Sequence, residues 1–342
     1  MDLIKPSKLK KFDCIAIISP SSGLAGRYPH RINRAVDFFK SQGYKVKEFP
    51  STRKDNGWES ASAEERAKDI MAAFLDKEVK AIITSIGGTV ALQTLKYLDY
   101  KKIKSNPKIF CGYSDISILH YAFYTQCSLI SFYGPCAMTQ FGEYPQPQEY
   151  TIEYFNKAVK KGKIGIVRPS KKWTEEIPDW SKKEDLKRAR KLKKNKGFEW
   201  LREGKAKGQI LGGCLSSIIH LAGTKYWPDY KNRILFLEIP EGQKFDHGEP
   251  LPYVDFYLEQ LEVLGVYKQI KGLIFGRPYR YSDNETFMLK KKLIERTKDY
   301  NFPILFNVDI GHTDPQITIP LGIQVEINSE KNIFKFLEEG VS

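Results

Sequence analysis

The sequence predicts an α/β protein of two domains, the first organised on a parallel sheet and the second a smaller β/α unit. Three observations carry this expectation. Over the first third, apolar strand-like runs alternate with helix-length amphipathic runs, a pattern that yields a parallel sheet covered on both faces. At 342 residues the chain is long enough for two buried cores, at roughly 150 residues per domain. From Tyr144 to about Gly208 the alternation gives way to proline, charge and isolated tryptophans (Trp173, Trp180, Trp200), a stretch too long for a simple connection. The expected boundaries are 1–143 for the first domain, 144–207 for a linker and loop excursion, and 208–342 for the second domain.

Each element has its own signal. "FDCIAIISPSSG" is a buried strand running into a small-residue loop, and "RINRAVDFFKSQG" an amphipathic helix closed by Gly43. "YKVKEFP" is a second strand. "SAEERAKDIMAAFLD" opens with a serine and two glutamates, as a capped helix should. "VKAIITSIGG" is a buried strand ending in a glycine pair, and "TVALQTLKYLD" another helix. "PKIFCGYSD" feeds the helix "ISILHYAFYTQC", and the strand "LISFYGP" closes the series. Ligands of such sheets sit beyond the carboxyl ends of the strands, so three turns should converge there: Ser19 to Gly23, Gly87–Gly88–Thr89, and Gly112 to Asp115. The second domain starts around "GQILGGCLSSIIHLAGT". It continues through the strand "RILFLEIPE", the helix "PYVDFYLEQLEVLGV", the strand "IKGLIFGRP", a helix at "ETFMLKKKLIERTKD" and the β-rich tail "FPILFNVDIGHTDPQITIPLGIQVEIN".

Composition narrows the function classes. No apolar run approaches the ~18–20 residues of a membrane span, and no apolar core of a secretory signal follows "MDLIKPSKLKKF". The expectation is a cytoplasmic protein with no membrane partner. The cysteines Cys14, Cys111, Cys127, Cys136 and Cys214 are odd in number and form no C-x-x-C pair, against both a disulfide framework and a zinc site. The net charge is +14, but its densest cluster, Ser181 to Gly197, is interleaved with acids and reads as one solvated helix or loop. It lacks aromatic platforms for single strands, so no nucleic-acid partner is expected. The surface charge would instead steer an anionic small substrate.

Chemistry concentrates at "CGYSDIS". A strand meets a helix across an abrupt bend carrying Ser114, either a nucleophile elbow or a turn in which Ser114 or Asp115 caps the helix. Ile116 stands where the elbow motif has its last glycine, so both readings stay open on these residues. An elbow serine needs a base, an acid that orients the base, and backbone N–H groups facing the oxyanion. Among the histidines, His30 starts a surface helix, and His120 and His220 read as buried structural residues. His247 in "FDHGEP" and His312 in "GHTDP", at an abrupt strand end, remain. For the acid, Glu238 ends the strand "ILFLE", while Asp309 and Asp314 flank His312 and compete with it.

Ser114 in "GYSDIS", Glu238 in "LFLEIPE" and His312 in "GHTDPQITIPLG", in that order, resemble the serine peptidases of the LD-carboxypeptidase family. The likeness extends to "SPSSG", "SIGGTVALQTLKYLDY", "GQILGGCLSSIIHLAGT" and "LGIQVEIN". It implies a Rossmann-like first domain carrying the nucleophile, a swivelling-type second domain carrying Glu238 and His312, and a homodimer. The implied mechanism is hydrolysis through a Ser114–Glu238–His312 triad, with the oxyanion held by N–H groups of Asp115 and Gly87–Gly88, and no metal or organic cofactor. The implied substrate is a small peptide or peptidyl-nucleotide: an amide in an LD-linked muropeptide or in a peptidyl-adenylate-like toxin. "WTEEIPDW…GFEW" resembles the microcin-immunity branch, where aromatic residues of this loop contact the nucleoside. This makes Trp180 and Trp173 substrate-binding candidates. Cys214 departs from the asparagine common in that branch. The alternative is a non-catalytic nucleotide- or phosphate-binding α/β protein.

Overall fold

The computed structural model describes residues 2–342. The first sheet is built from β1 (Cys14–Ile18), β2 (Lys45–Glu48), β3 (Val79–Thr84), β4 (Ile109–Gly112) and β5 (Phe132–Tyr133). The middle of the chain contributes a two-stranded ribbon, β6 (Lys172–Trp173) with β7 (Lys193–Lys194). A second sheet follows from β8 (Glu199–Arg202), β9 (Lys205–Cys214), β10 (Arg233–Glu238), β11 (Gly272–Gly276) and β12 (Ile304–Val308). Then β13 (Ile319–Pro320) crosses back to the first sheet, antiparallel to β5, before β14 (Gln324–Asn328) and β15 (Ile333–Phe336) complete the second.

The strand orders are β13-β5-β4-β3-β1-β2 and β15-β14-β9-β10-β11-β12-β8. In the first, every pair but β13–β5 is parallel; in the second, the parallel core β9-β10-β11-β12 has antiparallel edges. Central strands covered on both faces must be apolar throughout, and β1 (CIAII) is buried at every position. The helix Ala63–Leu75 begins at a capping box: Glu65 N–H donates to Ser62 Oγ, and Ser62 N–H donates back to the Glu65 carboxylate. Among the described residues, no helix is long and apolar enough to cross a membrane.

Two expectations are corrected, and one further helix gave no signal. Ala91–Tyr97 is a 3-10 helix. The helix Tyr100–Ser105 went unread, its six residues being too few to show a period. The run Ser181 to Gly197 is neither a helix nor wholly solvated: it holds one 3-10 turn, Glu184–Leu186, and β7, and Asp185 is buried. In sheet membership, β8 precedes residue 208 and belongs to the second sheet, while β13 follows it and belongs to the first. A charged edge strand such as "EWLR" resembles loop in composition, since edges carry charge to discourage further pairing.

The excursion is fastened by one buried carboxylate just past β12. Asp309 accepts the Ser170 N–H at 2.7 Å, the Ser170 hydroxyl at 2.8 Å and Arg277 Nη2 at 2.7 Å, with the Tyr150 hydroxyl at 3.2 Å. It is wholly buried. Removing one partner of a buried ion pair strands the other, at a cost of about 3–5 kcal/mol. Asp309→Ala should therefore lower the unfolding free energy by that order, read as a fall in the denaturant midpoint, and expose residues 168–197 to limited proteolysis before the rest of the chain.

Candidate active site

β4 ends at Gly112, where a Cβ would come within 2.2 Å of Thr84 Oγ1. After extended Tyr113 the chain turns sharply, and Ser114 adopts φ +67, a left-handed conformation costing a non-glycine residue about 1–3 kcal/mol. A 3-10 turn, Ser114–Ile116, then runs into the helix Ser117–Cys127. Neither Ser114 nor Asp115 caps that helix. Ser117 Oγ donates to Ser114 O at 2.6 Å and accepts the Cys214 N–H at 3.0 Å, tying the bend to the second sheet. The buried Asp115 carboxylate accepts Ser21 Oγ at 2.6 Å and the Ala91 N–H at 3.1 Å, and its burial pushes its pKa up. The strained bend is thus an elbow, and Asp115 stitches together the loops around it.

The bend meets two residues from the second sheet. His312 Nε2 lies 3.0 Å from Ser114 Oγ, and His312 Nδ1 lies 2.7 Å from Glu238 Oε2. Glu238 ends β10 and is wholly buried. Its other oxygen accepts the Tyr133 hydroxyl at 2.5 Å, and that hydroxyl oxygen accepts the Ser114 N–H at 3.4 Å. Gly311, at φ +91, lets the chain pass: a Cβ there would fall 2.2 Å from Glu238 Oε2. Burial lowers the proton affinity of His312, but Glu238 and Glu241 outweigh it and raise its pKa to about 9. Such a relay can move a hydroxyl proton from Ser114 to His312 once the imidazole is neutral.

The other candidates go elsewhere. Asp309 holds the excursion, and Asp314 pairs with Arg190 at 2.8 Å and accepts Gln140 Nε2 at 3.0 Å. His247 lies in an exposed loop against Asp246 O. His120 is buried against Gly112 O and Ser131 Oγ, and burial lowers its pKa to about 4. His220, expected buried, is exposed. His30, expected at the surface, pairs with Asp185 at 3.2 Å and is largely covered.

Ser114 and His312 open on a cleft of about 370 Å³. Gly87 and Gly88 form its floor beside the bend; a Cβ on Gly87 would sit 2.7 Å from Ser114 Cβ. Trp180 forms part of the wall, with the Arg31 guanidinium over its ring at 4.7 Å and the Tyr28 ring edge-on at 5.9 Å. The buried Trp180 Nε1–H has no partner among the described residues. Trp173 is not in this wall: it lies in the ribbon, under Arg277 at 4.6 Å and Lys193 at 5.0 Å. Cys214 is also outside it, buried beside Glu238 in strand register. Arg31, Trp58, Glu143, Arg190 and Glu241 line the cleft and escaped the sequence reading. Five carboxylates (Glu143, Glu175, Glu176, Glu241, Asp314) face two guanidiniums (Arg31, Arg190) here, so the surface excess of lysine does not extend into the site and the expected anion steering stops at its mouth.

Residues 15–134 match the model of the LD-carboxypeptidase N-terminal domain, and residues 207–327 that of the C-terminal domain. A Bacillus subtilis (strain 168) protein named as a carboxypeptidase, YocD, is 34% identical over 92% of this chain and 93% of its own. The Escherichia coli microcin C7 self-immunity protein MccF is 28% identical over 96% of this chain and 94% of its own. Its structure in complex with aspartyl sulfamoyl adenosine superposes with a TM-score of 0.90 at 28% identity, covering 99% of this chain and 100% of the other. An MccF-like protein from Bacillus anthracis str. Ames gives a TM-score of 0.88 at 33% identity, covering 98% and 100%.

Two outcomes follow from the His312 geometry. Gly311→Ala forces a methyl group onto the Glu238 carboxylate at a left-handed position. It should destabilise the protein by about 1–3 kcal/mol and lower the His312 titration midpoint, both readable by denaturation and imidazole NMR. The raised pKa also has a sign in stability. The proton is held to about pH 9 in the folded chain and only to about 6.5 when unfolded, so the linked stability is complete below pH ~6.5 and is lost as the pH rises through 9. His312→Gln should flatten the dependence of Tm on pH between those values relative to the parent.

Proposed function

The chain belongs to the LD-carboxypeptidase family and is a serine peptidase, and from that premise we propose that Ser114, His312 and Glu238 form its catalytic triad, acting on an aminoacyl- or peptidyl-nucleotide of the microcin type. The carrying observation is the continuous relay from Ser114 Oγ through His312 to the buried Glu238, at 3.0 and 2.7 Å, opening on a cleft with a tryptophan in its wall. In this reading neutral His312 takes the Ser114 proton as Oγ attacks the amide carbonyl. Glu238 fixes the imidazole through Nδ1–H and stabilises the imidazolium that forms. The oxyanion is received by the N–H groups of Gly87, Gly88 and Asp115. The absence of a side chain on Gly87 supports this, since a Cβ there would occupy the space against Ser114. His312 then returns the proton to the leaving nitrogen, and water, activated by the same imidazole, hydrolyses the acyl-enzyme. No step calls on a metal or cofactor.

Trp180 supplies the nucleoside contact in this reading. Its ring already carries the Arg31 guanidinium on one face, and the relative MccF has been solved with aspartyl sulfamoyl adenosine. An LD-linked muropeptide is the competing substrate, and it has no base to stack. A cytoplasmic homodimer belongs to the same reading, and sedimentation of the purified chain tests the assembly.

Ser114→Ala, His312→Ala and Glu238→Gln should each leave the fold intact. The first two should lower kcat about 10⁴-fold or more, and the double variant little further, because the residues act as one unit. Near-normal turnover in His312→Ala would remove the histidine from the mechanism. Trp180→Ala should raise KM for an aminoacyl-sulfamoyl adenosine by about five- to a hundredfold, the range of an aromatic–base stack, and spare an LD-tetrapeptide. Equal losses on both substrates, with a lowered Tm, would make the tryptophan packing rather than recognition.

A further inference from the structure

One carboxylate in the cleft is left over by this mechanism. Glu241 follows β10 by three residues, where the chain forms a bridge with Gly248. Its Oε2 lies 3.5 Å from His312 Nε2, the nitrogen that also faces Ser114 Oγ. The other carboxylates of the wall have cationic or hydrogen-bonding partners: Glu143 and Asp314 share Arg190, Glu175 pairs with Lys193, and Glu176 with Arg188. Among the described residues, no lysine or arginine lies within ion-pair distance of Glu241. Only the imidazole stands opposite it, and its side chain keeps 28% of its surface toward the cleft.

A substrate group that meets Glu241 lies near the reacting carbonyl, because the same imidazole nitrogen is 3.0 Å from Ser114 Oγ and 3.5 Å from Glu241 Oε2. In an aminoacyl group the α-nitrogen is about 2.5 Å from the carbonyl carbon, from standard bond lengths and angles. We propose that Glu241 is the receptor for the α-ammonium of the acyl donor, so that the cleft selects aminoacyl substrates with a free amine over N-acylated peptides. This rests on the serine peptidase reading above and narrows its substrate class. A peptide amide nitrogen at that place has no charge for Glu241 and leaves the carboxylate facing the imidazole alone.

The contact also readies the base. The groups facing His312 are Glu238 at Nδ1, Glu241 at Nε2, Asp314 two residues on, the Tyr113 ring at 4.9 Å and, beyond Glu241, the half-buried Glu249. With Glu238 and Glu241 both ionised the imidazole keeps its proton near neutrality. An ammonium paired with Glu241 neutralises one of the two charges holding that proton, and the imidazole releases it to become a base.

The test uses two α-aminoalkyl phosphonate diphenyl esters on the full chain, identical except that one amine is free and the other N-acetylated. Attack by Ser114 Oγ forms the O–P bond and expels phenoxide, so labelling at Ser114 reads the nucleophile without turnover. The free amine should label about ten- to a hundredfold faster, the range of a charge-assisted hydrogen bond, and Glu241→Gln should bring the two rates together. With the acetylated probe, the midpoint of the labelling–pH curve should move to lower pH in Glu241→Gln, which a merely structural glutamate would not cause. A rate ratio that survives the substitution, or a midpoint that stays in place, overturns the assignment and leaves the peptidase reading intact. Failure of both probes to label Ser114 overturns the peptidase reading, and the inference with it.

Discussion

The rest of the site depends on how one buried negative charge is satisfied. Glu238 is wholly removed from solvent, and an uncompensated carboxylate there would cost several kcal/mol. Its two oxygens are met from opposite sides: Tyr133 of the first sheet donates to one, and His312 to the other. The same tyrosine oxygen accepts the N–H of Ser114. One carboxylate therefore fixes the imidazole ring, ties the two sheets together and orients the strained bend. Solvation of the charge, docking of the two sheets and placement of Ser114 are a single physical problem here.

That economy explains which features were legible. Strands rich in isoleucine and valine announced the parallel sheets, and the serine–glutamate spacing announced the capped helix at Ser62, because these signals are local. Strand-end positions made Ser114, Glu238 and His312 candidates among several, and only the resemblance to the LD-carboxypeptidase family singled them out. Tyr133 was not, since a tyrosine inside "SFYGP" looks like any strand residue until its hydroxyl is seen beside a carboxylate 105 positions away. Arg190 was hidden for a different reason. In "KRARKLKK" it is one cation among many, and only folding singles it out as the buried partner of Glu143 and Asp314. Glu241, in "EIPEGQ", has no sequence signal that sets it apart from any other loop carboxylate, and its place beside His312 comes from the loop geometry alone.

The excursion between the domains shows how composition misleads. Its lysines and arginines read as solvated surface, yet the segment walls the cleft with Trp180 and Arg190 and anchors itself through Asp185 to Arg31 and Arg34. Buried ion pairs of this sort contribute little net stability compared with apolar packing. What they supply is a register: with Asp309 gripping Ser170 and Arg277, and Arg190 gripping Asp314, the loop can sit in few other positions. A cleft wall made from an irregular segment needs such pins, because it has no ladder of backbone hydrogen bonds to hold it.

The path of the chain around His312 links the two sheets. The residue leaves β12 of the second sheet, and seven residues later the same segment enters β13 of the first, where Ile319 pairs with Tyr133 and Pro320 with Phe132. His312 is therefore suspended between the two sheets on a short strap whose ends belong to different layers. A rotation of one domain against the other would pull on that strap and change the distance from His312 to Ser114 directly. The antiparallel pairing of β13 with β5 opposes such a rotation, and the β5 residue at the join, Tyr133, is the one that donates to Glu238. Strand pairing, the buried carboxylate and the relay are thus in series, and the geometry at Ser114 is only as firm as the weakest of the three.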